Sequence, residues 1–132
     1  MAEPYSREVI DHYRNPRNLG RLPDSDLDVA MGEAGRAAEG DLVRIQIRVG
    51  PDDQLREIAF KAFGCPATIA SASLATERVL GRSLDAAEQL SARELADGLC
   101  LSSDQTPSAN LARAALLAAI GAFRRKAARP LA

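Results

Sequence analysis

The feature that most constrains the fold is a run in the middle of the chain in which apolar and polar side chains alternate. Residues 43–49 read Val-Arg-Ile-Gln-Ile-Arg-Val, which is the period of a strand with one buried face. The turn-forming residues 50–53 follow, and a second alternating run covers residues 55–63. Because two strands joined by a short turn pair antiparallel, the sequence predicts an antiparallel sheet that contains Leu42–Val49 and Leu55–Phe63.

Helical signals flank this strand pair. Ser6 can cap a short amphipathic segment that ends before Pro16. Downstream, Pro66 suits the first position of a helix, Ser91–Glu94 form a capping box, and an Ala-rich helix is predicted from about Ser108 to Lys126. Strands followed by helices favour an α+β fold, a small antiparallel β-sheet packed against several α-helices, over a parallel α/β fold.

The segment between the first helix and the strand pair is rich in glycine and aspartate. For residues 17–38 we expect a loop with at most a short edge strand around Val29–Met31. Asp24, Asp26 and Asp28 resemble part of a calcium loop, but the required glycine and terminal glutamate do not follow. These aspartates are therefore expected to form a solvated loop.

Length and charge exclude several classes of protein. A chain of 132 residues is typical of one domain, here residues 1–132. The 17 basic and 18 acidic side chains nearly cancel, so no basic face for nucleic acid is expected. No apolar run approaches the roughly 20 residues of a membrane span, and the N-terminus does not read as a signal peptide. We expect a cytoplasmic domain without membrane or nucleic-acid partners.

Three residues could carry thiol or imidazole chemistry. Cys65 lies between a strand end and a helix start, where free backbone N–H groups lower a thiol pKa from its usual value of about 8.5. From position alone, a reactive thiol and a small buried cap residue are equally compatible with Cys65. Cys100 follows a helix end and is interpreted as a semi-buried bystander. His12 is the only histidine and is expected to be a packed or hydrogen-bonded structural residue.

Two long motifs carry a family resemblance. The first includes Val-Ile-Asp-His-Tyr at residues 9–13 and Asn-Pro-Arg-Asn at residues 15–18, and the second includes Phe-Gly-Cys at residues 63–65 and Ile-Ala-Ser at residues 69–71. These motifs resemble the IscU/NifU-N family of iron–sulfur cluster assembly scaffolds. The Gly-Arg-Ser-Leu run at residues 81–84 and the final Ala-rich helix continue the match, so the resemblance covers nearly the whole chain.

The resemblance implies a site of three cysteines, one aspartate and one histidine. On this sequence those positions fall at Glu39, Asp41, Cys65, Pro107 and Ser108, so one cysteine and the aspartate are retained. By this carry-over Glu39, Asp41, Cys65 and Ser108 occupy the metal-ligand positions and should converge on one surface site. Asp41 and Cys65 are the candidate cofactor-binding pair, and Cys65 is the candidate sulfur acceptor. The two nearby carboxylates are expected to raise the pKa of Cys65 and leave it only moderately reactive.

The donor replacements change the expected cofactor chemistry. Iron–sulfur clusters are normally held by soft ligands, mostly thiolates. One thiolate with hard oxygen donors should bind an iron–sulfur cluster or zinc weakly or not at all in the isolated chain. The resemblance therefore implies a member of the family with a degenerate metal site, for which iron binding is suggested by the resemblance alone.

Three functions remain compatible with these residues. The chain could be a cluster-assembly protein that accepts sulfur at Cys65 from a cysteine desulfurase, or shares a metal with another scaffold subunit. It could instead be a metal-free pseudo-scaffold with a regulatory or interaction role. An enzyme with Cys65 as nucleophile would need His12 as base and is the least favoured. The family's chaperone-binding Leu-Pro-Pro-Val-Lys falls on residues 101–105 and keeps only its leucine, so contact with an Hsp70-type chaperone is expected to be lost.

Overall fold

The computed structural model describes residues 4–128, in which five α-helices and one three-stranded sheet are formed. Two short 3-10 turns lie at Ala37–Glu39 and Ser103–Gln105. The main elements in chain order are α1 (Arg7–Arg14), β1 (Val29–Arg36), β2 (Asp41–Val49), β3 (Leu55–Phe63), α2 (Pro66–Val79), α3 (Leu84–Glu88), α4 (Ala92–Leu99) and α5 (Thr106–Ala128).

The sheet has the order β1-β2-β3, and both strand pairs are antiparallel. Val43, Ile45 and Ile47 of β2 are fully buried. The strand pair predicted from the alternating runs is therefore confirmed, as is the α+β class, with β2 beginning one residue earlier than expected. Burial of these three side chains against the helices contributes about 1.5–3 kcal/mol each.

The expected short edge strand was wrong in length, because β1 covers Val29–Arg36. The reason lies at Gly32, where an added Cβ would overlap the backbone of Ala115 and Ala119 in α5. The helix packs directly on the strand backbone, so β1 carries too few side chains for an alternating pattern to show. The longer strand brings Arg36 opposite Asp41 in the β1–β2 register.

The helices cover one face of the sheet. Helix α5 packs on β1 and β2, α2 packs on β3 and α5, and α1 packs on α2. His12 is buried, and its Nδ1 lies 2.8 Å from Oγ of Ser73, so its expected structural role is confirmed. The predicted caps are also present, since Ser6 accepts from the Val9 N–H and Ser91 forms a capping box.

The loop before β1 is held on the sheet more specifically than a solvated loop would be. Arg48 of β2 pairs with Asp26 at 2.9 Å and with Asp28 at 2.6 Å. Asp24 accepts a hydrogen bond from Gln46. The expectation for the three aspartates was therefore incomplete, because each has a defined partner on β2. Among residues 4–128, no helix is both long and apolar enough to cross a bilayer.

Candidate functional site

The candidate site lies at the end of the sheet where β2 begins and β3 ends. Asp41 is the first residue of β2, and the next residue, Leu42, pairs with Phe63 at the end of β3. Cys65 follows two residues later as the N-cap of α2. Ser108 joins them from the first turn of α5. The start of β2, the N-terminus of α2 and the first turn of α5 thus each supply one candidate residue.

Gly64 allows the carboxylate and the thiol to approach each other. Its φ of +138° favours glycine, and an added Cβ would overlap Oδ1 of Asp41. The backbone between β3 and α2 therefore passes directly over the Asp41 side chain. Any larger residue at this position would displace either Asp41 or the start of α2.

Thr68 connects the other polar groups of the site. Its Oγ1 lies 3.4 Å from Sγ of Cys65 and 3.0 Å from Oγ of Ser108, and it donates to Oδ1 of Asp41 at 3.5 Å. Oγ of Ser108 is 3.8 Å from Sγ of Cys65. Thr68 and Ser108 are both buried. The structure thus brings Asp41, Cys65 and Ser108 together around one hydroxyl that the sequence reasoning missed.

Arg36 is the second residue that sequence reasoning missed. Its Nη2 donates to Oδ2 of Asp41, and the Asp41 side chain is almost entirely buried. The Nε of Arg36 is also buried and has no hydrogen-bond partner among residues 4–128. The buried carboxylate is therefore neutralised by a guanidinium from the neighbouring strand.

Glu39 is not brought into this cluster. It lies in the 3-10 turn between β1 and β2 with an exposed side chain, and it makes no hydrogen bond or ion pair with Asp41, Cys65 or Ser108 in the described part of the chain. Pro107 is half-buried at the start of α5. The expected convergence is therefore seen for three of the four candidate positions. Their roles in binding remain a prediction.

The surroundings of Cys65 stabilise a thiolate. Partial burial raises the pKa of the thiol, but the hydroxyl and N–H of Thr68, the hydroxyl of Ser108 and the N–H of Ala67 together lower it below its ordinary value. The expected opposing effect of two carboxylates is weaker than these hydrogen bonds. The reason is that Asp41 is paired with Arg36 and Glu39 is exposed to solvent.

Cys100 and His12 lie outside this cluster. Cys100 ends α4 in the left-handed conformation with φ of +52° and is exposed, where a semi-buried side chain was expected. His12 is engaged with Ser73 and lies 3.9 Å from Glu77, and it makes no hydrogen bond to Cys65. The structure offers no imidazole base next to the Cys65 thiol.

The residues gathered here do not fit a metal centre held by one chain. They offer one thiol, two hydroxyls and a carboxylate that is already paired with arginine. Within residues 4–128 there is no group of three or more His, Cys, Asp or Glu side chains with the spacing of a metal site. Zinc and iron–sulfur clusters require several thiolate or imidazole ligands, and one is present.

The fold and the site define a small α+β protein with a thiol at a helix N-terminus beside a buried carboxylate. The chain belongs to the NifU-like N terminal domain family, which it matches over residues 4–130. It is 42% identical over 122 residues to the iron–sulfur cluster assembly scaffold protein IscU of Azotobacter vinelandii, covering 92% of this chain and 95% of that protein. It is 40% identical over 122 residues to IscU of Escherichia coli K12, with 92% and 95% covered.

Other relatives extend this comparison. The chain is 39% identical over 127 residues to the mitochondrial iron sulfur cluster assembly protein 1 of Schizosaccharomyces pombe, covering 96% of this chain and 66% of that protein. A NifU-like protein (N-terminal) from Brucella abortus has a similar structure, with a TM-score of 0.64, 17% identity and 95% of each chain covered. A SUF-system scaffold protein from Fervidobacterium islandicum superposes with a TM-score of 0.72 at 16% identity, over 89% of this chain and 96% of that one. These two structures establish the fold.

Proposed function

We propose that this chain is an accessory protein of iron–sulfur cluster assembly that accepts sulfur at Cys65 from a cysteine desulfurase. Its relatives at 40–42% identity are named cluster assembly scaffolds. The observation that carries the proposal is the environment of Cys65 at the N-terminus of α2. Its Sγ lies within hydrogen-bond distance of the hydroxyls of Thr68 on α2 and Ser108 on α5. Such an arrangement favours the nucleophilic thiolate.

The proposed step is a thiol exchange. The Cys65 thiolate attacks the terminal sulfur of the desulfurase's cysteine persulfide, a bond forms between the two sulfurs, and the original S–S bond breaks. The desulfurase cysteine leaves as a thiolate. The outer sulfur moves to Cys65 together with its hydrogen, so that Cys65 becomes a persulfide. No oxidant or reductant is consumed, because one S–S bond replaces another.

Each residue of the cluster has a proposed part in this step. Thr68 and Ser108 stabilise negative charge on sulfur through their hydroxyls. Because Thr68 has one hydroxyl proton, donation to the thiolate replaces its 3.5 Å hydrogen bond to Oδ1 of Asp41, whose charge stays paired with Arg36. Glu39 is exposed beside the site, where it could contact an incoming partner or metal.

In the proposed function the iron–sulfur cluster is cargo and not a resident cofactor of this chain. A single thiolate does not complete the coordination of a [2Fe–2S] cluster. We propose that assembly or transfer of a cluster through this chain would require thiolates from another scaffold subunit. The isolated chain is expected to bind zinc weakly or not at all and to form no coloured cluster.

A second candidate function is favoured by one specific contact. Asp41, a ligand position in the family, is engaged by Arg36. This pairing is compatible with a pseudo-scaffold that keeps the fold for binding a partner and has no sulfur or metal chemistry.

The two candidates are separated by one assay. The protein is mixed with a cysteine desulfurase and cysteine, and added sulfur is located by mass spectrometry after rapid alkylation. Sulfur on Cys65 that is lost in Cys65→Ser and retained in the matched Cys100→Ser variant supports the acceptor role. No sulfur on Cys65 and no complex by size-exclusion chromatography would favour the pseudo-scaffold. Stoichiometric zinc binding that depends on Cys65 would contradict the expectation that one thiolate with oxygen donors binds zinc weakly or not at all.

A further inference from the structure

The electrostatic balance of the site depends on an arginine that the proposed sulfur transfer does not use. Arg36 is the last residue of β1 and faces Asp41, the first residue of β2, across the strand register. Its Nη2 donates to Oδ2 of Asp41, of which only 6% is exposed. A carboxylate buried to this degree requires a counter-charge inside the protein.

The guanidinium occupies the carboxylate oxygen that a metal ion would need. Carboxylates bind cations through the same oxygen lone pairs that accept N–H and O–H bonds. Oδ2 of Asp41 accepts from Arg36, and Oδ1 faces the Thr68 hydroxyl at 3.5 Å. A divalent cation must therefore displace Arg36 or bind beside it, and repulsion between the two positive charges opposes the second choice.

The position of Arg36 is maintained by this ion pair. Its Nε is buried without a hydrogen-bond partner in the described residues, which is unfavourable for an arginine. About a third of the side chain remains exposed, at 34%. The Asp41 carboxylate is therefore the contact that holds the guanidinium in the site.

We propose that Arg36 determines what this site accepts: its guanidinium takes the place of a metal ion at Asp41 and excludes divalent cations, while Cys65 stays available for sulfur. This inference rests on the proposed role of Cys65 as sulfur acceptor. The contacts separate the two functions, since Arg36 binds Asp41 and Thr68 stands between Asp41 and the thiol.

The test titrates Zn²⁺ or Co²⁺ alone into reduced wild-type protein and into Arg36→Ala, Arg36→Gln and Arg36→Lys variants. Calorimetry measures affinity, and cobalt–thiolate absorption reports a bond to Cys65. Arg36→Ala and Arg36→Gln are expected to bind either metal about tenfold more tightly or better, equivalent to ~1.4 kcal/mol, because the competing charged hydrogen bond is gone. Arg36→Lys, which keeps the charge, is expected to stay close to wild type.

Two controls make the result specific. Arg124→Gln removes one positive charge from an exposed pair with Asp85 and should leave metal affinity unchanged. Asp41→Asn, combined with Arg36→Gln, should abolish the gain. Arg36→Gln preserves much of the side-chain stem and is informative even where Arg36→Ala fails to fold.

Equal metal affinity of the wild type and the charge-removing variants would overturn the proposal, as would a gain that survives Asp41→Asn. Tight zinc binding by the wild type would overturn it as well. The outcome is distinct from a failure of the proposed function, because persulfide formation on Cys65 is measured separately and requires no metal titration.

Discussion

Nδ1 of His12 on α1 and Oγ of Ser73 on α2 lie 2.8 Å apart, although 61 positions separate them in the sequence. This contact buries the only histidine of the chain between two helices. Burial lowers the pKa of His12 below its ordinary value of 6.5, and Arg17 lowers it further, while Glu77 acts in the opposite direction. The folded protein therefore disfavours the protonated imidazole.

A pH dependence of stability follows from this shift. As the pH falls through 6.5, the unfolded chain binds a proton at His12 before the folded chain does, so the free energy of unfolding should decrease. One proton limits the slope to about 1.4 kcal/mol per pH unit. Urea unfolding across this range measures it. His12→Gln should remove this part of the slope, and identical slopes in the two proteins would contradict the assignment.

Removing the Thr68 hydroxyl should make the Cys65 thiol less reactive. Thr68→Val keeps the shape of the side chain but removes the hydroxyl near Sγ, which should raise the pKa of Cys65 and slow its alkylation severalfold at neutral pH. Thr68→Ser retains the hydroxyl and is the matched control. Rates are measured against pH in a Cys100→Ser background. A Thr68→Val profile that coincides with that of Thr68→Ser would show that the hydroxyl has no such effect.

A methyl group at Gly32 should destabilise the fold. Gly32→Ala forces α5 away from β1, because the added Cβ overlaps helix backbone that cannot rotate aside, and overpacking of this kind costs about 1–3 kcal/mol. Gly121→Ala, on α5 itself, has only the flexible end of Arg125 nearby at 3.4 Å and should stabilise by about 0.5–1 kcal/mol. Thermal or urea unfolding of both variants makes the comparison, and a Gly32→Ala variant as stable as wild type would refute the close packing.

A second thiol in the site should restore metal affinity. Ser108→Cys places a sulfur beside Cys65, since the two present side-chain atoms are 3.8 Å apart. Under reducing conditions we expect zinc affinity to rise about tenfold or more, because thiolates dominate the binding energy of zinc sites. Ser102→Cys, on the exposed turn before α5, is the control for an added surface thiol. Equal affinities in these two variants would exclude Ser108 from the site.

The strand pair and the helix caps were predictable because their signals are local. Alternation in β2 reports one buried face, and the Ser91–Glu94 box is complete within four residues. The length of β1 was hidden, since Gly32 packs through its backbone and contributes no side chain to a pattern. Tertiary contact with Ala115 and Ala119 of α5, which lie more than 80 residues after Gly32, determines that strand.

The site was only partly predictable for a related reason. Asp41, Cys65 and Ser108 could be located by resemblance. Arg36 lies opposite Asp41 because of the β1–β2 pairing register, and that register cannot be read from the sequence. Thr68 had a usable signal, because it stands three residues after the N-cap Cys65, where side chains of a first helical turn face one another. Glu39 shows the limit of resemblance in the other direction, since its position suggests a ligand while its side chain is exposed on the turn and, within the described residues, makes no hydrogen bond to Asp41, Cys65 or Ser108. Its role stays a prediction.

The location of Arg36 and Asp41 on one hairpin has an evolutionary consequence. The thiol and the hydroxyls lie on α2 and α5, whose tightly packed small residues tolerate little substitution. The opposing charges instead lie at the turn end of the β1–β2 hairpin, on the two sides of the short turn that joins the strands. A lineage with this fold can therefore change the charge balance of the site through substitutions at these two positions alone, whereas a metal centre would also require further thiolate or imidazole donors from α2, α5 or the turn.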